Sequence, residues 1–237
     1  MTSTSASSGA ETSAAVTSLR AIDLWGPAGH LEALLNEGSP ASHFAALVCH
    51  PHPLGGGTMH NKVVYHAMKV LNAPAWGFQF PVLRFNFRGT GLSEGQHDGL
   101  AESEDIVAAL DWLHAEFALP IIVAGFSFGA AMALAACCPD APPKFNASLQ
   151  ALAALGLPTQ ALDRRYRHPS LAACTLPKLF LSGDRDQFAP KSDLQGAVAS
   201  ASEPKSLVLI PGADHFFTGH LKAMQHALAS WLKEHAA

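Results

Sequence analysis

What most narrows the folding options is the stretch from residue 44 to the end of the chain. Short apolar runs without polar alternation trade places there with helix-period patterns. FAALVCH (44–50), PVLRFNF (81–87), IIVAGF (121–126), KLFLSG (178–183) and SLVLI (206–210) are the runs. Strands that show no polar face are strands covered on both sides. Between them, Val64, Ala67, Met68 and Leu71 recur at helical spacing, as do Ile106, Leu110, Leu113 and Phe117 in residues 100–119, and Leu221, Met224, Leu228 and Trp231 near the end. Such alternation predicts an α/β fold, a mostly parallel central sheet with helices on both faces.

Other segments fit the same plan. LRAIDLWGPAGHLEALLNEG reads as an opening hairpin around a Gly-Pro-Ala-Gly turn. AAMALAACC reads as a helix stopped by Pro139, and Pro190 opens another through Val198. LQALAALGL is a strand candidate that its alanines would also allow to be helical. Glu102, Glu104 and Asp105 fall in the first turn of a helix, where its dipole favours acids. At 237 residues one domain suffices, expected over 19–237 after a disordered Ser/Thr/Ala tail at 1–18 that has neither the basic nor the apolar region of a secretory leader.

Charge and cysteine usage remove several classes. A net charge of −4 without a Lys/Arg block argues against nucleic acid as partner. No apolar stretch reaches the roughly 18–20 residues a membrane span needs. Cys49, Cys137, Cys138 and Cys174 have no CxxC spacing and read as reduced thiols of a cytoplasmic protein.

In open parallel sheets ligands sit beyond the carboxyl ends of the strands. The most informative of these ends is IIVAGFSFGAA, where Gly-x-Ser-x-Gly joins a strand to a helix. Glycines on both sides of Ser127 leave room for a sharp turn that projects its hydroxyl, and the start of the helix favours an anion beside it. A serine hydroxyl needs a base to take its proton, and the base needs a carboxylate to orient it. Asp184-Arg185-Asp186 follows KLFLSG, and Asp214-His215 follows SLVLIPGA. Asp186 is the favoured acid with Asp184 as its turn-forming neighbour, His215 is the base, and Asp214 fixes its loop. The order Ser, Asp, His is that of α/β-hydrolases. Loop HPHPLGGGTMHN, after the strand at 44–50, is the expected source of a second oxyanion donor beside the Phe128 amide, with Leu54 the candidate.

Together, HPHPLGGGTMHNKVV, VLRFNFRGTGLSEG, GFSFGA, GDRDQFAP and GADHFF resemble the small, lidless bacterial α/β-hydrolases, serine esterases related to dienelactone hydrolases and serine peptidases. The likeness runs over about residues 20–235. It implies the α/β-hydrolase fold, Ser127 as nucleophile, Asp186 as acid, His215 as base, and the Leu54 and Phe128 amides as oxyanion hole. Only about 20 residues, Thr159 to Pro177, separate the sixth and seventh strands, too few for a cap domain.

The expected activity is a carboxylesterase on small to medium acyl esters, needing no cofactor. A thioesterase or peptidase would use the same triad. A catalytically silent binding protein of the same fold is the reading from another class. Met59, Phe126, Phe188, Phe216 and Phe217 are candidates to line an acyl pocket. Arg88 is expected to tie loops down through carbonyls rather than to hold an acidic substrate. His50, His52 and His60 suggest a metal, but Pro51 and Pro53 break the strand geometry and no nearby carboxylate completes a set, so no metal is expected. A dinucleotide or phosphate-binding loop is disfavoured: GFSFGAA sits mid-chain without the later acidic partner, and LGGGT lacks Gly-Lys-Ser/Thr.

Overall fold

A computed structural model describes residues 18–138, 145–161 and 164–235. In chain order its elements are β1 (Leu19–Gly26), β2 (Gly29–Asn36), β3 (Ala45–Cys49), α1 (Lys62–Asn72), β4 (Val82–Phe85), α2 (Glu102–Phe117), β5 (Ile121–Phe126), α3 (Phe128–Cys137), β6 (Leu149–Leu155), β7 (Lys178–Gly183), α4 (Lys191–Ala199), β8 (Lys205–Ile210) and α5 (Leu221–His235). The strands form one eight-stranded sheet in the order β1-β2-β4-β3-β5-β6-β7-β8. β2 pairs antiparallel with β1 and with β4, and the remaining neighbours are parallel. This is the α/β-hydrolase fold.

The missing polar alternation has its cause in two cores. Along β3, Ala45, Leu47 and Cys49 enter one apolar cluster while Ala46 and Val48 enter the other. β5 divides in the same way, Ile121 and Val123 against Ile122, Ala124 and Phe126. The first cluster is closed by α2, α3 and α4, the second by α1 and α5. LQALAALGL is a strand: Leu152 and Ala154 reach one core, Ala151, Ala153 and Leu155 the other, and pairing with β5 and β7 overrides the alanines' helical preference.

The chain steps from β3 to β4 on one side and returns to β5 on the other. The reversal leaves a crevice at the carboxyl ends of β3 and β5. No cap covers it. Between β6 and β7 the described residues form a two-residue antiparallel ladder, Gln160–Ala161 with Arg164–Arg165, and a 3-10 turn at Pro169–Ala172.

Two sequence readings change. Cys138, after α3, is bonded to Cys174 with Cα atoms 5.1 Å apart, so the four cysteines are not all reduced thiols. The partners lie 36 residues apart, and only the packing of the 3-10 turn against α3 brings them together. Cys49 and Cys137 are free and buried, and burial pushes the Cys137 thiol up to about 12. The cytoplasmic reading thereby loses its cysteine argument; among the described residues no helix is long and apolar enough to cross a membrane. The expected stop at Pro139, and residues 1–17 of the expected tail, lie outside the described residues.

Arg88 does hold loops, but through a carboxylate. Its guanidinium meets Asp105 at 2.7 Å and its own amide donates to the same group at 3.0 Å, while Arg84 reaches the Met59 carbonyl at 3.1 Å. Asp105 thus ties α2 to the segment after β4, beyond any interaction with the helix dipole. Its side chain is fully buried and Arg88 nearly so, and removing one partner of such a pair leaves a buried charge uncompensated. Asp105→Ala should therefore lower unfolding free energy by about 3–5 kcal/mol in a urea titration; a loss of under about 1 kcal/mol would show that the pair is not structural.

Candidate active site

β5 is buried along its whole length and ends at Phe126. The next residue, Ser127, takes φ 55° and ψ −117°, a costly conformation for a residue with a side chain. It is held because the Ser127 amide donates to the Leu155 carbonyl at 2.8 Å and its carbonyl accepts the Ala130 amide at 2.9 Å as α3 begins. The flanking glycines serve close approach rather than their own dihedrals. A Cβ on Gly125 would lie 2.5 Å from the Gly129 carbonyl oxygen, and one on Gly129 would lie 2.5 Å from that of His50. Backbone therefore packs on backbone between β5, α3 and the end of β3, with the Ser127 hydroxyl left at the crevice.

His215 comes from the turn after β8. Its Nε2 lies 2.9 Å from Ser127 Oγ and its Nδ1 2.8 Å from Asp186 Oδ2. An ionised carboxylate only accepts, so the ring proton belongs on Nδ1 and the Nε2 lone pair faces the hydroxyl. Asp186 is fixed further by the Phe188 and Ala189 amides (2.8 and 3.0 Å) and the Ser182 hydroxyl (2.9 Å). The two other acids do different work. Asp184 accepts the Gly212 amide at 2.7 Å, joining the turns after β7 and β8. Asp214 accepts the Phe216 and Thr218 amides (3.0 and 2.9 Å); partial burial pushes its carboxyl up, but these bonds and the Thr218 hydroxyl together hold it below the usual range.

Across the crevice, the loop after β3 closes a 3-10 turn at Pro53–Gly55. Leu54 is exposed, and its amide donates to His52 Nδ1 at 3.2 Å. The Phe128 amide belongs to the first turn of α3, whose leading N–H groups have no intrahelical acceptor. His50, a rival metal ligand in the sequence, uses both ring nitrogens locally: Nδ1 lies 2.6 Å from the Pro51 carbonyl, and Nε2 accepts the Phe87 amide at 3.0 Å. Burial pushes this imidazole down to about 4, helped by the neighbouring His97 and His52. Among the described residues no three His, Cys, Asp or Glu side chains gather as a metal set.

The five pocket candidates separate by burial. Met59, Phe126 and Phe217 are core residues: Met59 is pinned between Asn86 and Arg84 by its backbone, Phe126 lies under the His215 ring at 5.1 Å, and Phe217 sits in the α1/α5 core. They expose no wall to a ligand. Phe188 is half-buried and Phe216 exposed, with ring centroids 4.6 and 5.2 Å from that of His215. Two surface depressions lie elsewhere. One of about 730 Å³, lined by His43, Phe44, Phe78, Phe80 and Lys233, is at the amino ends of the strands, and one of about 530 Å³ lies beside Trp25 and Glu104. The sequence reading missed the work of His50 and His52 in shaping this loop. The signal was present in prolines that alternate with them, which deny the segment strand geometry and leave the imidazoles to local acceptors and donors.

The sequence profile of the alpha/beta hydrolase domain matches residues 46–237. An uncharacterized protein of Rickettsia prowazekii (strain Madrid E) is 36% identical over 215 residues, 87% of this chain and 86% of that protein. Among solved structures, an alpha-beta serine hydrolase homologue from Coxiella burnetii is 31% identical with a TM-score of 0.75, over 89% of this chain and 96% of that one. A serine hydrolase without lid from Xanthomonas campestris is 29% identical with a TM-score of 0.75, over 92% and 95%.

Two outcomes follow from this geometry. Gly129→Ala drives a methyl into the His50 and Cys49 carbonyls, and should cost about 1–3 kcal/mol or more by denaturant unfolding; an unchanged midpoint would contradict the packing. His50 is charged when unfolded below its ordinary value of 6.5 but stays neutral in the folded protein down to about 4. The unfolded chain binds the extra proton within that window, so stability of about 3 kcal/mol is intact above pH 6.5 and fades as pH falls toward 4. Urea titrations across that range should show a shallower decline for His50→Gln than for wild type; equal slopes would sink the assignment.

Proposed function

Because this chain belongs to the alpha/beta hydrolase domain family, we propose that it is a serine hydrolase that cleaves small to medium acyl esters through an acyl-enzyme. The observation that carries this is the unbroken hydrogen-bond chain Asp186–His215–Ser127 at the strained turn after β5.

Ser127 Oγ attacks the ester carbonyl as His215 Nε2 takes its proton. Asp186 keeps the other ring proton on Nδ1 and stabilises the imidazolium that forms. The carbonyl oxygen becomes an anion, received by the Phe128 amide at the positive end of α3 and by the Leu54 amide from the facing loop. Leu54 N–H must leave His52 Nδ1 to do so. Charge-assisted hydrogen bonds are roughly twice as strong as neutral ones, so a developing oxyanion outcompetes a neutral ring nitrogen at 3.2 Å. The intermediate collapses as His215 returns its proton to the leaving alkoxide, and the alcohol departs. Water, deprotonated by the same imidazole, then attacks the acyl-enzyme and releases the acid.

The open crevice argues for modest acyl groups. Among the described residues, Phe188 and Phe216 are the accessible aromatic surfaces beside His215, and neither walls a deep tunnel. Long chains would gain little buried area.

A fluorophosphonate should label wild-type protein at Ser127. Ser127→Ala should abolish labelling and reduce p-nitrophenyl ester turnover by ~10³-fold or more with an unchanged melting temperature. Folded wild type that neither labels nor turns over would favour a binding protein. Across p-nitrophenyl esters, kcat/KM should level off or fall beyond medium chain lengths; a steady rise into long acyl chains would refute the open-site reading.

A further inference from the structure

One residue, His52, organises the loop that faces the nucleophile, and it gives or takes no proton in the hydrolysis itself. His52 stands between Pro51 and Pro53, neither of which has an N–H. Its carbonyl accepts the Gly55 and Gly57 amides, each at 3.0 Å, and its Nδ1 accepts the Leu54 amide at 3.2 Å. The Gly56 amide goes to the Pro53 carbonyl at 2.9 Å. A Cβ placed on Gly55 or Gly56 would meet nothing within 4 Å, so no packing supports the tip of the turn. Its shape depends on the His52 acceptors, with the Pro53 carbonyl as the remaining one.

The ring is itself held. Its centroid lies 4.9 Å from the Phe128 ring and 4.7 Å from the His97 ring. Behind His97 is the fully buried Glu102 carboxylate, 2.5 Å from His97 Nδ1 and accepting the Asp98 and Gly99 amides at 3.0 and 3.3 Å. His52 therefore touches both residues assigned to the oxyanion hole, Leu54 through its amide and Phe128 through its ring.

We propose that His52 is a positioning residue of the oxyanion hole: its neutral imidazole, packed between Phe128 and His97, holds the Leu54 N–H in place and gives it up when an oxyanion forms. For Nδ1 to accept, the ring proton must sit on Nε2. A ground-state carbonyl is too weak an acceptor to take the N–H from the ring, whereas the transition-state oxygen is charged. The bond released opposes the reaction, whereas the turn geometry it sets favours it; the charged transition-state oxygen draws on that geometry and the ground-state carbonyl does not, so the net gain falls on kcat and not on KM. The role rests on the serine-hydrolase reading, but the hydrogen bond can be measured without turnover.

Two variants separate the acceptor from the packing. His52→Asn supplies a side-chain oxygen that accepts an i+2 amide, as in an Asx turn, while giving up ring contact. His52→Leu fills the space of the ring and accepts nothing. In folded protein, checked by thermal melting, His52→Leu should speed amide hydrogen exchange over residues 54–57 by about 10-fold and lower kcat for p-nitrophenyl acetate by about 10-fold, with KM within about twofold. His52→Asn should keep both within about threefold of wild type. If leucine is not accommodated, His52→Ala should show the same losses, with kcat restored by added imidazole. Active wild type with an indifferent His52→Leu, or a His52→Asn as defective as the leucine variant, overturns the positioning role alone. Wild type that shows the exchange pattern but neither labels with fluorophosphonate nor hydrolyses ester overturns the hydrolase reading and this role together.

Discussion

Everything at the crevice depends on three stretches of backbone meeting without side chains between them. Gly125 lets β5 run against the start of α3, and Gly129 lets α3 press on the carbonyls that end β3. Ser127 lies between these contacts with a positive φ it would not adopt alone. The strain is sustained because β5 is central, with β3 and β6 hydrogen-bonded to its two edges and apolar clusters on both faces. A rigid sheet fixes the hydroxyl, and the loops need only reach it.

Two carboxylate–imidazole pairs reach toward that position from opposite sides. Asp186 and His215 approach from the turns after β7 and β8, while Glu102 and His97 approach from the start of α2, with His52 in front. Each carboxylate is fully buried and accepts two backbone amides in place of lost hydration. Asp186 is also hydrogen-bonded to its histidine, whereas His97 Nδ1 lies beside Glu102 without hydrogen-bond geometry. The first pair meets a hydroxyl and the second backs a loop, so a buried carboxylate beside an imidazole sits behind both the proposed nucleophile and the proposed oxyanion loop.

The elements were legible where pattern and context agree. β5 and β7 could be read because strands buried on both faces show no polar alternation, even though β7 also buries Lys178 and Ser182, and the ends of such strands locate Ser127 and Asp186 in the chain. LQALAALGL was ambiguous because alanine suits a helix as well as a tightly packed interior strand, and its neighbours β5 and β7 decide the matter. Phe217 and Phe216 are adjacent and identical in type, yet one is core and the other exposed; a turn with φ 53° at Phe217 sends them apart. Cys138 and Cys174 gave no local sign of pairing. Leu54 was readable as a loop residue, but the direction of its N–H was not, since that depends on a histidine two positions away.

By itself the sequence determined the order of strands and helices, the two-faced burial of the sheet, and the chain positions of a serine, an aspartate and a histidine just beyond strand ends. These follow from local periodicity and from the glycines and prolines that punctuate it. Only the tertiary structure decided which aspartate meets the imidazole, which phenylalanines stay accessible, which cysteines join, and where the loop amides point. Those outcomes depend on distances between segments far apart in the chain, and such distances are set by sheet register and the packing of two cores.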